Sequence, residues 1–211
     1  MTLGPSIRLT LLAGALAGAS LLGGCAPLLL GGAAFGTAMV VTDRRTSGTQ
    51  VDDQAIELKA VNRVNEVVGD RGHVSVTSFN RLVLITGEVP NEADKAAIEQ
   101  SVSRIENVRS IVNELAIAPP ASLGTRSNDT LLTSKVKASL IDAKDLQVNA
   151  FKVSTARGVV YLMGRVTERE ANRASDITRG VSGVQKVVRV FEVISEAELA
   201  ELKPPKDAAK N

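Results

Sequence analysis

The chain has 211 residues, with 25 Lys and Arg against 23 Asp and Glu. This near-neutral balance excludes a global electrostatic footprint for nucleic acid, and 2 % aromatic residues with no Trp argue against stacking platforms for bases or sugars. A single Cys excludes an internal disulfide.

The first 24 residues have the pattern of a secretory signal peptide. Arg8 precedes an apolar run over residues 9–22, which is followed by two glycines and Cys25. A positive start, a short apolar segment and small residues at the cleavage point are typical of such signals. The run is shorter than the roughly 20 residues that a membrane-spanning helix needs. We therefore predict that residues 1–24 are removed.

The sequence around Cys25 resembles the lipobox of bacterial lipoproteins. That resemblance implies cleavage before Cys25 and acylation of its thiol and of the new amino terminus, which together give a stable anchor. The alternative is a buried free thiol in an ordinary signal or in a transmembrane helix. Because Ala26 stands where a retaining Asp would keep a lipoprotein in the inner membrane, the resemblance implies the periplasmic face of the outer membrane. Residues 25–51 are then a lipidated tether, apolar over 26–42 and flexible over 43–50.

Residues 52–118 are predicted to form a module with the element order α-β-β-α-β. A helix capped by Asp52 or Asp53 carries an apolar face at spacings of three and four residues. Two strands follow with a turn at Asn80 and Arg81 between them. A second helix then leads into a third strand. The expected strands cover residues 73–77, 82–89 and 111–117, and Asn91 is the expected cap of the second helix.

The second half of the chain repeats this order after a Pro-containing linker over residues 119–126. Within the module predicted for 127–194, Ser127–Thr130 offer helix caps, and Thr167-Glu-Arg-Glu170 has the spacing of a capping box. Residues 195–211 are predicted to be a flexible tail because they are charged and contain Pro. Modules of about 66 residues are marginal alone, so we expect the two to pack on each other.

Two glycines mark the repeat most clearly. Gly87 and Gly164 each end an apolar strand within a Gly-x-Val motif, and Glu-Ala follows in both copies. Such a Gly suits a β-bulge or the close approach of a helix that crosses the strand. A phosphate-binding loop is the functional alternative, but it needs several glycines at a helix N-terminus. Self-similarity at a near-constant spacing predicts two copies of one small module.

The order of these motifs resembles the BON domain family. The most specific stretches are residues 48–53, 127–130, 166–171 and 181–184. With two copies behind a lipobox, the chain more narrowly resembles outer-membrane lipoproteins that carry two BON domains. The resemblance implies an α+β fold with two tandem BON modules, each packing a small three-stranded mixed sheet against two helices. It also implies binding of anionic phospholipid by the first helix of the second module, and a role in outer-membrane integrity and at division sites.

The first helix of the second module has two apolar sides when residues 128–142 are placed at 100° per residue. Leu132, Val136 and Leu140 form a stripe that should face the sheet. Aliphatic groups flanked by lysines suit an anionic membrane surface, and a solvated face with stray aliphatic side chains is the alternative. Leu131 stands where one relative that the chain resembles has an aromatic residue, which predicts shallower or weaker insertion. The candidate phospholipid-binding residues are Leu131, Ser134, Lys135, Lys137, Ala138 and Ile141.

The sequence predicts neither an enzyme nor a metal or cofactor site. His73, the only His, begins a predicted strand without a Cys or Ser partner motif, so we expect a surface or turn residue. The predicted partner is an anionic phospholipid membrane rather than nucleic acid. The alternative function is a protein-interaction adaptor for an envelope-assembly or cell-wall factor, bound by the same helix or by a sheet edge.

Overall fold

The computed structural model describes residues 43–202, in which the order α-β-β-α-β occurs twice. Residues 1–42 and 203–211 lie outside the described part of the chain. The signal peptide, the acylated Cys25 and the apolar segment over 26–42 therefore stay predictions.

The first module contains two helices and three strands. They are α1 (Ser47–Val68), β1 (His73–Phe79), β2 (Leu82–Val89), α2 (Glu92–Ser103) and β3 (Ser110–Ile117), with a 3₁₀ turn at Gly69–Arg71. The Thr46 side chain caps α1 by accepting a hydrogen bond from the Thr49 N–H. This helix therefore begins before the predicted caps at Asp52 and Asp53, and that prediction is wrong. Asn91 caps α2 as predicted.

The second module repeats these elements and adds a short helix. They are α3 (Leu123–Asp142), β4 (Phe151–Ala156), β5 (Val159–Thr167), α4 (Glu168–Arg179), β6 (Lys186–Ile194) and α5 (Glu196–Glu201), with a 3₁₀ turn at Val148–Ala150. Ser122 caps α3 inside the predicted linker, so Ser127–Thr130 lie within the helix and are not caps. The capping box of Thr167 and Glu170 is confirmed. Residues 196–201 form a helix that Ser195 caps and that buries Leu199, which corrects the predicted flexible tail there.

Each module has one three-stranded mixed sheet with its second strand in the centre. β1 pairs antiparallel with β2, and β2 pairs parallel with β3. β4, β5 and β6 repeat this arrangement. The parallel pairs need a crossover connection, which α2 and α4 provide. The predicted α+β fold with two helices on each small mixed sheet is confirmed.

The central strands β2 and β5 are buried on both faces. In β2, Ile85 packs with the helices of its own module, whereas its neighbour Leu84 packs against the other module. In β5, Leu162 packs with the helices of the second module, and Tyr161 packs against the first module. A strand that is covered on both sides has no polar face, which explains why residues 82–89 form a nearly continuous apolar run.

The two sheets pack face to face, and the helices cover their outer faces. Side chains of both sheets meet in one apolar layer, which confirms that the modules pack on each other. At the rim of this layer, Lys152 Nζ donates to Glu57 Oε1 at 2.6 Å, and Arg109 donates to Glu192 at 2.6 Å. The buried members of the layer are Phe79, Leu84, Tyr161, Met163 and Val190.

Glycine is required at positions 87 and 164 because the backbone of a neighbouring segment leaves no space for a side chain. A Cβ atom at Gly87 would lie 2.0 Å from the carbonyl oxygen of His73, and one at Gly164 would lie 2.4 Å from that of Ala150. Gly87 also has a φ of 118°, which L side chains rarely adopt. The sequence predicts either a β-bulge or the close approach of a crossing helix as the reason for each Gly. The close approach comes instead from the backbone at the start of the antiparallel partner strand.

We expect Gly164→Ala to lower the free energy of unfolding by about 2 kcal/mol or more, because the methyl group has no space beside a backbone carbonyl. Gly124→Ala is the matched control, since its added Cβ meets only the Ser122 hydroxyl at 3.7 Å. This control should leave stability unchanged or raise it by up to about 1 kcal/mol. Urea unfolding followed by far-ultraviolet circular dichroism measures both, and equal effects would contradict the steric explanation.

Tyr161 is the only Tyr in a chain without Trp, so its phenol reports on the layer between the sheets. Burial, with a smaller contribution from the charge of Glu114, raises the pKa of Tyr161 to about 12. The protonated phenol therefore stabilises the fold fully below pH 10, and this contribution is lost as the pH rises towards 12. We expect phenolate absorbance of the folded chain to appear only near the upper value. Titration near pH 10 without unfolding would show that the layer is open to water.

Candidate functional site

The candidate lipid-binding residues lie on the solvent side of α3. Leu132, Val136 and Leu140 are buried against the sheet, as their spacing predicts. On the other side of the helix, Leu131 and Ile141 are 62 % and 63 % exposed. None of this side is covered by the first module. The remaining members of the predicted set are exposed as well: Ser134, Lys135, Lys137 and Ala138.

The charges around this exposed face are largely unpaired. Neither Lys135 nor Lys137 has an ion pair or a side-chain hydrogen bond within residues 43–202. The Ser134 hydroxyl donates to the Thr130 carbonyl and is satisfied inside the helix. Asp142 is exposed in the last turn and places a negative charge at that end. Free positive charge therefore flanks the aliphatic strip in the middle turns of α3.

Asp129 fixes α3 to its own sheet. Its carboxylate accepts hydrogen bonds from the backbone N–H groups of Arg157 and Gly158, each at 2.8 Å. These two residues form the β4–β5 turn and have positive φ, as in the tight turns that connect antiparallel strands. Asp53 binds the β1–β2 turn of the first module in the same way. These aspartates therefore bind the backbone of the hairpin turns, a role that the sequence analysis missed.

Arg44 ties the start of the described chain to the second module. Its guanidinium donates to both carboxylate oxygens of Glu170 at 2.7 Å and to the Arg165 carbonyl at 2.9 Å. Both side chains of the pair are buried, at 7 % and 3 % exposure. Burial raises the pKa of Glu170, but hydrogen bonds from Arg44 and from the Thr167 N–H outweigh it and hold that pKa below its ordinary 4.5.

Arg45 ties the same segment to the first module. It donates to Asp43 and, at 2.8 Å, to Asp53, and its guanidinium lies 4.3 Å from the centre of the Phe79 ring. Burial lowers the pKa of Arg45, but hydrogen bonds to the two aspartates outweigh it and raise that pKa. Residues 43–45, here termed the strap, therefore bind both modules. The predicted flexible tether is wrong for residues 43–50, because these pairs and the first turn of α1 fix them.

The described residues show no centre for metal chemistry. Within residues 43–202, no three His, Cys, Asp or Glu side chains are grouped so that they could hold a metal ion. None of the helices in this range combines the length and the apolar character that crossing a membrane requires. His73 stands at the first position of β1, where the sequence predicts it.

Both modules match the family model of the BON domain, over residues 52–119 and 128–195. The chain therefore belongs to the BON domain family, and the resemblance seen in its motifs is confirmed. Over 196 residues it is 37 % identical to the outer membrane lipoprotein DolP of Haemophilus influenzae. That alignment covers 92 % of this chain and 100 % of the relative.

Two further relatives are more distant. The 21 kDa hemolysin of Actinobacillus pleuropneumoniae is 27 % identical over 154 residues, covering 72 % of this chain and 79 % of the relative. The osmotically-inducible protein Y of Escherichia coli is 29 % identical over 148 residues, covering 66 % and 72 %. None of these three relatives carries the name of an enzyme.

Removing the Arg44 side chain tests the strap. We expect Arg44→Gln to lower the free energy of unfolding by about 3 kcal/mol at neutral pH, because the buried Glu170 loses its cation. Arg63→Gln is the control, since Arg63 pairs with Glu66 on an exposed helix surface and should contribute below about 1 kcal/mol. Urea unfolding at neutral pH measures both.

The same pair predicts a pH dependence. Because the pKa of folded Glu170 lies below 4.5, its contribution is complete above that value and is lost as the pH falls through the folded pKa. The wild-type chain should therefore lose its advantage over Arg44→Gln in acid. An advantage that is independent of pH would contradict the ionic explanation.

Proposed function

We propose that this chain is an outer-membrane lipoprotein, anchored through Cys25, that binds anionic phospholipid through the exposed side of α3 and supports outer-membrane integrity, including at division sites. Similarity to an outer membrane lipoprotein over that relative's full length supports an envelope lipoprotein role. One observation carries the lipid proposal. Leu131 and Ile141 are largely exposed on one side of a helix whose two flanking lysines have no partner.

The energies of these groups suit weak and reversible membrane contact. Full burial of a Leu or Ile side chain contributes about 1.5–3 kcal/mol, and each Lys near an anionic surface contributes about 1 kcal/mol. The free energy gained by inserting one side of a single helix is therefore modest. The acyl anchor proposed at Cys25 would raise the effective concentration of α3 at the membrane, so that modest contact becomes significant.

The strap brings the second module, as well as the first, to the end of the tether. The acylated tether precedes residue 43, and Arg44 binds Glu170 on α4 within three residues of that point. The second module is therefore bonded directly to the end of the tether, although it follows the first module in sequence.

Vesicle flotation tests lipid recognition separately from acylation. An acyl-free chain of residues 43–211 should float with phosphatidylglycerol vesicles and bind zwitterionic phosphatidylcholine vesicles less. Leu131→Glu combined with Lys137→Glu should weaken binding by at least about tenfold, because it removes an inserted side chain and reverses a charge. Leu131→Trp should strengthen it, since an aromatic residue anchors well at the interface.

The matched control combines Leu58→Glu with Lys59→Glu. Leu58 is 72 % exposed on α1, the corresponding helix of the first module, and Lys59 is exposed beside it, so this double variant changes the net charge by the same amount on the opposite outer layer. It should leave flotation unchanged. Lipid recognition by α3 is wrong if the vesicles do not discriminate by charge, or if the α3 and α1 variants behave alike.

A protein-interaction adaptor is the second candidate function, and α1 favours it. Val51, Leu58 and Val61 are 65 %, 72 % and 53 % exposed on the side of α1 that faces away from its sheet. Because the sheets pack face to face, α1 and α3 occupy opposite outer layers of the described chain. An envelope-assembly or cell-wall factor bound to α1 would leave α3 free for lipid. Crosslinking from position 58 compared with position 131 would separate the two surfaces.

A further inference from the structure

A cleft of about 270 Å³, lined mostly by residues with polar side chains, lies between the two modules. Its first wall is formed by the start of β1 and the end of β2, and its second by β4 and the N-terminal half of α3. Arg126, Thr130 and Thr133 line it from α3. These residues lie on a different side of the helix from Leu131, so the cleft is separate from the exposed aliphatic face.

Arg126 is an unpaired cation in this cleft. Its Nε is buried and has no hydrogen-bond partner within residues 43–202. Its guanidinium also forms no ion pair with any carboxylate in that range. A buried N–H group without an acceptor is unfavourable, and native structures rarely leave one unsatisfied. The Nε–H group of Arg126 is therefore free to donate a hydrogen bond to an oxygen atom of a ligand.

The carboxylates that border the cleft are already engaged. Glu88 accepts a hydrogen bond from the Ala121 N–H, and Asp129 accepts two from the β4–β5 turn. Arg157 forms an ion pair with Glu88 at 3.7 Å, and its side chain is 48 % exposed. Arg126 is therefore the guanidinium of this lining that has no partner within residues 43–202.

The rest of the lining is rich in hydroxyl groups. Thr133 donates to Thr155 at 2.7 Å, which leaves lone pairs of the Thr133 oxygen and the Thr155 proton available to a ligand. The other hydroxyl-bearing residues of the lining are Ser75, Thr86, Thr130 and Ser154. Such walls suit a ligand that carries hydroxyl groups of its own.

We propose that the cleft between the modules binds a small polyol phosphate, whose phosphate oxygens are held by Arg126 and whose hydroxyl groups meet the Ser and Thr side chains. The planar guanidinium matches a phosphate with two parallel hydrogen bonds. The volume lies just below that of pockets for drug-sized ligands, so a small ligand fits the cleft. A dissolved polyol phosphate and a phospholipid headgroup share this chemistry.

His73 provides a direct readout, because it is the only His in the chain and lines the cleft. We would titrate the full chain in detergent micelles with glycerol 3-phosphate and follow the imidazole proton resonances. The expected result is a saturable shift with a Kd of about 1 mM, and no shift with glycerol alone. Arg126→Gln should weaken binding at least about tenfold, and Arg126→Lys should weaken it less because the charge remains.

Arg63→Gln is the control, since it removes an exposed guanidinium outside the cleft and should not change the titration. Near-ultraviolet circular dichroism of Tyr161 verifies that each variant keeps its inter-module packing. The combined Leu131 and Lys137 variant should also bind glycerol 3-phosphate normally, so failure of lipid recognition by α3 and failure of this site are distinguishable.

Comparing two probes shows whether the bound phosphate belongs to a lipid headgroup or to a dissolved ester. A His73 shift with phosphatidylglycerol micelles but not with glycerol 3-phosphate, lost in Arg126→Gln, would support the site with a lipid headgroup as its ligand. A shift with the soluble ester supports a dissolved ligand. Absence of any shift with both probes, or equal shifts in wild type and Arg126→Gln, would overturn the proposal and leave a cleft that holds only water.

Discussion

Contact between the apolar faces of two small sheets organises this molecule. Leu84 from one central strand and Tyr161 and Met163 from the other fill the layer between them. A module of about 66 residues buries too little apolar surface to be more than marginally stable alone. Closing this layer gives each central strand a second buried face. It also directs the helices outward, and it is for this reason that α1 and α3 keep exposed aliphatic side chains on opposite sides.

Polar contacts between residues far apart in sequence then hold the helices, the hairpin turns and the two modules in place. Asp53 and Asp129 each bind a hairpin turn from a neighbouring helix, so that helix and sheet keep one relative position. Arg44 and Arg45 add a strap that joins the chain start to both modules. Arg44 and Glu170, like Arg45 and Asp53, form largely buried ion pairs, an arrangement in which loss of one partner is strongly destabilising. The placement of α3 on its sheet depends on the hydrogen bonds of Asp129 as well as on the buried stripe.

Membership of the BON family describes the scaffold, and the surfaces of the scaffold carry its proposed functions. The exposed side of α3 offers apolar groups and free lysines to a membrane, and α1 offers an aliphatic face to a partner. The cleft between the modules exists only because two copies are joined, since its walls come from both. Duplication of one small fold has therefore produced a cleft between the copies as well as two outer faces.

Local patterns in the sequence determine the elements of this protein. Apolar periodicity predicts both sheets, and the spacing of Thr167 and Glu170 predicts a helix start. The apolar stripe of α3 predicts which side of that helix is buried, and therefore also which side is exposed. Tertiary structure alone decides what the charged residues near helix starts do. A carboxylate such as Asp53 can cap its own helix or bind a turn more distant in sequence, and periodicity does not distinguish the two. Arg44 likewise meets a partner far along the chain, and only the folded packing of the two modules brings them together.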